Sequence, residues 1–130
     1  MVIVDTTVWI DYLRGTETSQ VRWLDRELQR QPLGLTDLIL CEVLQGVRDK
    51  RTFDKVREDL LRFHVFETGG IDLAVAAAEN YRRLRQRGQT IRRTIDCLIA
   101  TFCLQSRHTL LHCDRDFDAF ESLGLLTVVA

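Results

Sequence analysis

The chain has 130 residues, 45% of them apolar, and its 18 basic and 19 acidic side chains nearly cancel. That length falls in the commonest range for one compact domain, so residues 1–130 are expected to form a single one, and the charged fraction is too ordinary for disorder. The balance of charge excludes a whole-protein electrostatic attraction to nucleic acid or membrane; any such attraction has to be local.

In chain order, the branched apolar run Val2-Ile3-Val4 predicts a strand that ends in an acid, Asp5. Asp5 followed by Thr6 and Thr7 also fits the N-cap of a helix starting near Val8. Trp9, Tyr12 and Trp23 are core or interface material, with Trp9 and Tyr12 suited to a partner surface. Val21, Leu24 and Leu28 repeat at helical spacing within a predicted helix from Ser19 to Gln31. The only proline, Pro32, then precedes a strand around Leu33-Leu35.

The next helix spans Asp37 to Val47, and Glu42 interrupts its apolar face: three and four positions away stand Leu38, Ile39, Gln45 and Gly46. A third helix covers Thr52-Arg62 and a strand covers Phe63-Phe66. The alanine-rich helix Ile71-Arg87 stops at Gly88. Six arginines (82, 83, 85, 87, 92 and 93) then crowd this turn. Those up to Arg87 partly serve the helix dipole, whereas Arg92 and Arg93 lie in the loop before the next acid, where they can hold the phosphates on either side of a scissile bond, which favours a nucleic acid over a small phosphate ester.

Thr94 is the expected N-cap of the helix Thr94-Ser106, and Asp96 in its first turn projects over Ile99, Ala100 and Cys103, at the mouth of the buried face. A strand at Thr109-His112 leads to Asp114-Arg115-Asp116-Phe117-Asp118, read as a polar turn and helix start, and the last strand is Leu125-Val129. Cys41, Cys97, Cys103 and Cys113 have apolar neighbours and no Cys-x-x-Cys spacing, so all four are expected buried and reduced. His64, His108 and His112 are scattered along the chain at strand edges, without zinc spacing. The uncharged stretch Cys97 to Ser106 is too short to span a bilayer, and the start of the chain has no basic segment before an apolar one; no membrane partner and a cytoplasmic location are expected.

Alternating strands and helices predict an α/β fold with a mainly parallel sheet, in which ligands bind at the carboxyl ends of the strands. Asp5 and Asp114 fall at two such ends, and Glu42 and Asp96 face inward from helices. Four carboxylates brought together repel one another, and a hard divalent cation, Mg²⁺ with Mn²⁺ as the other choice, resolves the conflict. Such a cation polarises a phosphoryl oxygen and activates water, the chemistry of phosphodiester hydrolysis.

Four segments resemble, in order and at suitable intervals, the successive motifs of PIN-domain proteins, and more narrowly of VapC toxins of bacterial toxin–antitoxin pairs. They are Val4 to Gly15, Cys41 to Gly46, Thr94 to Ala100 and Asp114 to Phe117. The resemblance implies a three-layer α/β/α PIN fold. It also implies a Mg²⁺- or Mn²⁺-dependent endoribonuclease that cuts structured RNA such as tRNA or rRNA and thereby inhibits translation and growth. As partners it implies a second copy, in a homodimer, and a cognate VapB-type antitoxin whose tail lies across the acidic groove. Carried over by matching positions, Asp5, Asp96 and Asp114 would ligate the metal, and Glu42 would bind it or orient the attacking water. Thr6 would support the first ligand through its hydroxyl. Family members place the fourth-motif acid at either of two positions, and this chain offers both Asp114 and Asp116.

Two other classes of function remain at this point. A receiver-like signalling module also gathers acids at strand ends, but wants an acidic pair after the first strand and a late lysine; here threonines follow Asp5, and the only lysines are Lys50 and Lys55. A catalytically silent binding module is the other, and the presence of all four motif acids speaks against it.

Overall fold

The computed structural model describes residues Met1–Ala130. Five strands, β1 (Val2–Val4), β2 (Leu33–Thr36), β3 (His64–Phe66), β4 (Thr109–Leu111) and β5 (Leu126–Thr127), form one sheet in the order β3-β2-β1-β4-β5. Every pairing is parallel, with Val2 opposite Leu33 on one side of β1 and opposite Thr109 on the other. Six α-helices, α1 (Thr6–Arg14), α2 (Ser19–Glu27), α3 (Asp37–Gln45), α4 (Lys50–Leu60), α5 (Ile71–Gln86) and α6 (Thr94–Ser106), and a 3₁₀ segment at Arg115–Leu123 make the connections.

Parallel neighbours need crossovers, and these are right-handed. The path steps one way from β1 to β3 and then jumps back past β1 to β4, so helices α1 to α4 cover one face and α5, α6 and the 3₁₀ segment cover the other. The three-layer α/β architecture expected from the sequence is therefore the one present. The reversal happens at β1, which makes the crevice beyond the ends of β1 and β4 the topological switch point.

Between the helical layers the strands are apolar on both faces, as parallel strands must be: Ile3, Val4, Leu35, Leu110 and Leu111 have no exposed surface. Gly34 is the exception in size. A Cβ at Gly34 would stand 2.9 Å from the Met1 sulfur and 3.0 Å from both the His64 carbonyl oxygen and the Phe66 ring, so β2 and β3 approach closely because this residue has no side chain.

Several expectations need correction. Helix α2 ends at Glu27 rather than Gln31, α3 at Gln45, and α4 begins at Lys50, because Asp49 accepts a hydrogen bond from the Thr52 N–H and caps it. Thr94 is the first helical residue of α6 and not its cap; Arg93 holds that position without a capping side chain. Strand β5 is shorter than expected, covering only Leu126–Thr127, and Val129 beyond it is exposed. Only Cys97 and Cys103 of the four free cysteines are buried. Cys41 lies two residues from each of the buried Ile39 and Val43, about 200° around the helix from either, and Cys113 lies past the end of β4 on the rim. Trp9 is buried against Phe63, with ring centroids 5.1 Å apart, so it is core rather than partner surface. No helix is long and apolar enough to cross a membrane.

Candidate active site

The crevice beyond β1 and β4 is where the acids meet. The backbone N–H of Asp5 donates to the Leu111 carbonyl at 2.9 Å, extending the β1–β4 ladder by one step and fixing Asp5 beside the end of β4. Asp5 is also the N-cap of α1: its Oδ2 accepts from the Thr7 N–H at 3.1 Å and from the Thr7 hydroxyl at 2.8 Å. Capping and site are one arrangement here, since the cap uses one carboxylate oxygen and leaves the other. Asp5 Oδ1 is buried and has no hydrogen-bond partner.

The Thr7 hydroxyl also accepts from the Cys113 N–H at 3.1 Å, so it ties the first strand's end to the loop that carries Asp114. Sequence reading missed Thr7. Thr6 does not reach Asp5, as the resemblance implied; its hydroxyl donates to Glu42 Oε1 at 2.7 Å. The physical reason is the cap itself, because an Asp at the N-cap turns towards the amide two residues on and leaves Thr6 facing α3.

Asp96 projects from the first turn of α6 and is 1% exposed. The loop after β4 brings Asp114 and Asp116 against it: one carboxylate oxygen from each of Asp96, Asp114 and Asp116 lies within 4.8 Å of the others. The loop is held locally, with the Asp116 N–H donating to Asp114 Oδ1 at 2.9 Å and the Asp114 N–H donating to His112 Nδ1 at 3.2 Å. Both fourth-motif acids thus belong to the cluster; Asp5 and Glu42 stand outside this set of three, close enough for the charges of Asp96 and Glu42 to act on Asp5.

Arg92 and Arg93 face the acids. Arg93 grips both oxygens of Asp96 at 3.3 Å and comes within 3.9 Å of Glu42. Arg92 donates from Nε to Asp116 at 3.1 Å and lies 3.8 Å from Asp114. These five carboxylates outnumber the two guanidinium groups, and two of them, Asp5 and Asp96, are buried. Burial lifts the Asp5 carboxyl to about 7; the Thr7 hydrogen bonds oppose the rise, and the charges of Asp96 and Glu42 add to it. Burial also raises Asp96, against the pull of Arg93.

Oxygen-only donors, an unpartnered buried carboxylate oxygen and residual negative charge fit a hard divalent cation. Sulfur and imidazole play no part in the cluster, which argues against a zinc-type site.

Comparison with known proteins bears on the same residues. A family profile for the PIN domain matches residues 2–123, a span that holds every acid of the cluster. The chain belongs to the PIN-domain family. It is 32% identical over 125 residues to Ribonuclease VapC11 of Mycobacterium tuberculosis, covering 91% of this chain and 90% of that one, and it matches a VapC ribonuclease of Mycobacterium bovis equally well. This PIN domain is therefore of the VapC type.

Solved structures agree on the fold. The VapBC2 complex of Rickettsia felis, bound to a DNA fragment from its promoter, superposes with a TM-score of 0.76 at 18% identity over 98% of both chains. VapC20 of Mycobacterium tuberculosis, a Sarcin-Ricin loop cleaving toxin, does so at 0.65 and 17% identity over 97% of both.

Proposed function

We propose that this PIN domain is the toxin of a VapBC-type pair, an endoribonuclease that hydrolyses phosphodiester bonds in structured RNA such as tRNA or rRNA. The observation that carries the reading is the gathering of Asp96, Asp114 and Asp116 oxygens within 4.8 Å, beside a buried Asp5 oxygen that bonds to nothing. Asp5, Asp96, Asp114 and Asp116 would hold Mg²⁺ or Mn²⁺. When bound, such a cation polarises the phosphoryl oxygen and makes water a better nucleophile.

The remaining work falls to the chain's own groups. Thr6 holds one oxygen of Glu42, which leaves the other to orient the attacking water by accepting its proton. Thr7 fixes Asp5 and the Asp114 loop in register, so the ligands are aligned before substrate arrives. Arg92 and Arg93, half or more exposed at the rim, would take the phosphates on either side of the scissile bond.

Residues 1–130 act as one unit in this reading, in the cytoplasm, as a homodimer and under the control of a VapB-type antitoxin; likeness to VapC ribonucleases over nine-tenths of the chain supports that assignment. A receiver-like module is disfavoured by topology, since receivers order their sheet 2-1-3-4-5 and this one runs 3-2-1-4-5. A silent module is disfavoured by the presence of all four motif acids, Asp5, Glu42, Asp96 and Asp114.

The test is direct. Purified protein is incubated with folded tRNA or rRNA fragments and Mg²⁺, with and without a chelator, and the products are mapped. Cleavage that stops with chelator and with Asp96→Asn is expected. Undiminished cleavage by that variant would remove the assignment.

A further inference from the structure

We infer that Arg92 and Arg93 are internal counterions that compete with the divalent cation for the acidic cluster, holding its charge in the metal-free protein and swinging out to the substrate when the cation enters. The inference rests on the metal-dependent reading above and adds a device that regulates the same site.

Each arginine spans two acids. Arg93 bridges α6 to α3, with Nε on Asp96 Oδ2 and Nη2 on Asp96 Oδ1, both at 3.3 Å, and Nη1 at 3.9 Å from Glu42 Oε2. Arg92 bridges the two acids of the Asp114 loop, at 3.8 Å from Asp114 and 3.1 Å from Asp116. Together they contact all three acids of the cluster, so its charge is covered by long side chains rooted in one short loop.

The two kinds of partner use the same lone pairs. Asp96 has both oxygens engaged by a bidentate guanidinium, so a cation taking either oxygen must loosen that fork. The acids are fixed, with side chains between 2% and 16% exposed, whereas Arg92 and Arg93 are 74% and 53% exposed. The arginines are therefore the mobile half of each pair. They leave without disturbing the core, and a guanidinium released at the rim faces an incoming phosphate.

Arg92→Gln and Arg93→Gln test this, with Mn²⁺ titrations followed by the paramagnetic resonance signal of the free aqua ion, a readout independent of cleavage. Removal of the competitor is expected to tighten Mn²⁺ binding about tenfold in each variant, a change of about 1.4 kcal/mol. The metal-free melting temperature should fall while the rise on adding Mn²⁺ grows. Arg62→Gln, on a distant exposed arginine, controls for overall charge.

Unchanged or weaker Mn²⁺ binding in both folded variants overturns the competition, as does equal tightening in the Arg62 control. Either result leaves the nuclease reading standing, provided Asp96→Asn still abolishes Mn²⁺ binding and cleavage. A wild-type protein that neither binds Mn²⁺ nor cuts RNA overturns both.

Discussion

The Thr6 hydroxyl donates to Glu42 across 2.7 Å, and this one bond joins the first turn of α1 to the middle of α3. It aims a carboxylate that would otherwise swing through several rotamers at the mouth of the crevice. Thr6→Val keeps the shape and removes the donor. A hydrogen bond to a charged group contributes about 1.5–3 kcal/mol, so the melting temperature should drop measurably, and RNA cleavage should fall by about tenfold as Glu42 loses its orientation. Thr6→Ser should restore both.

Asp96→Asn removes a charge at nearly constant volume from the centre of the cluster. With Asp96 in the ligand role proposed above, its loss should lower cleavage by about 10²-fold or more, since even outer partners of a ligand cost 10–100-fold. Titration of Mn²⁺ into the variant should give no saturable binding near the wild-type affinity. The fold should survive, because burial already penalises the ionised form of Asp96.

For pH, Asp5 is the group to follow. Its carboxyl titrates near 7 in the metal-free fold against an ordinary value of 3.8, so the folded chain holds this proton to higher pH than the unfolded one does. The associated stability is fully present below about pH 4 and is lost as pH rises through about 7. Melts in EDTA between pH 5 and 8 should therefore decline more steeply for wild type than for Asp5→Asn. Metal and proton also compete for the same oxygens, so Mn²⁺ affinity should weaken as pH falls below 7. Melting curves of identical slope for the two proteins would contradict the titration of Asp5.

Gly34→Ala probes the sheet instead of the site. The new Cβ would meet the His64 carbonyl at 3.0 Å, an atom that cannot turn aside as a side chain can. Overpacking of this kind costs about 1–3 kcal/mol, and chemical denaturation should register it. Mn²⁺ affinity in the folded variant should be retained, because the strain lies between β2 and β3, away from the ends of β1 and β4.

How much was legible beforehand depends on the kind of signal. Asp5, Glu42 and Asp96 betray themselves because an acid among apolar residues at strand or helix spacing has to be explained. The five strands were located for the same reason, by runs of branched apolar residues. Thr7 left no such trace, since two adjacent threonines after an aspartate look alike until the cap geometry turns one towards Asp5 and the other towards Glu42. Arg92 and Arg93 were found as a basic pair, but the acids they grip lie on three separate elements, and only the folded chain brings those together. Cys41 and Cys113 misled because apolar neighbours in sequence are not neighbours on a helix face or at a rim.

The tie from the Thr7 hydroxyl to the Cys113 amide links positions 106 residues apart. Strand β4, which must slot in beside β1, is made after β1, β2 and β3. A nascent chain still lacking Asp114 and Asp116 cannot assemble the cluster, whatever its earlier helices have done. Assembly of the acidic cluster therefore waits on the docking of β4 beside β1, and the helices made before it cannot build the cluster by themselves.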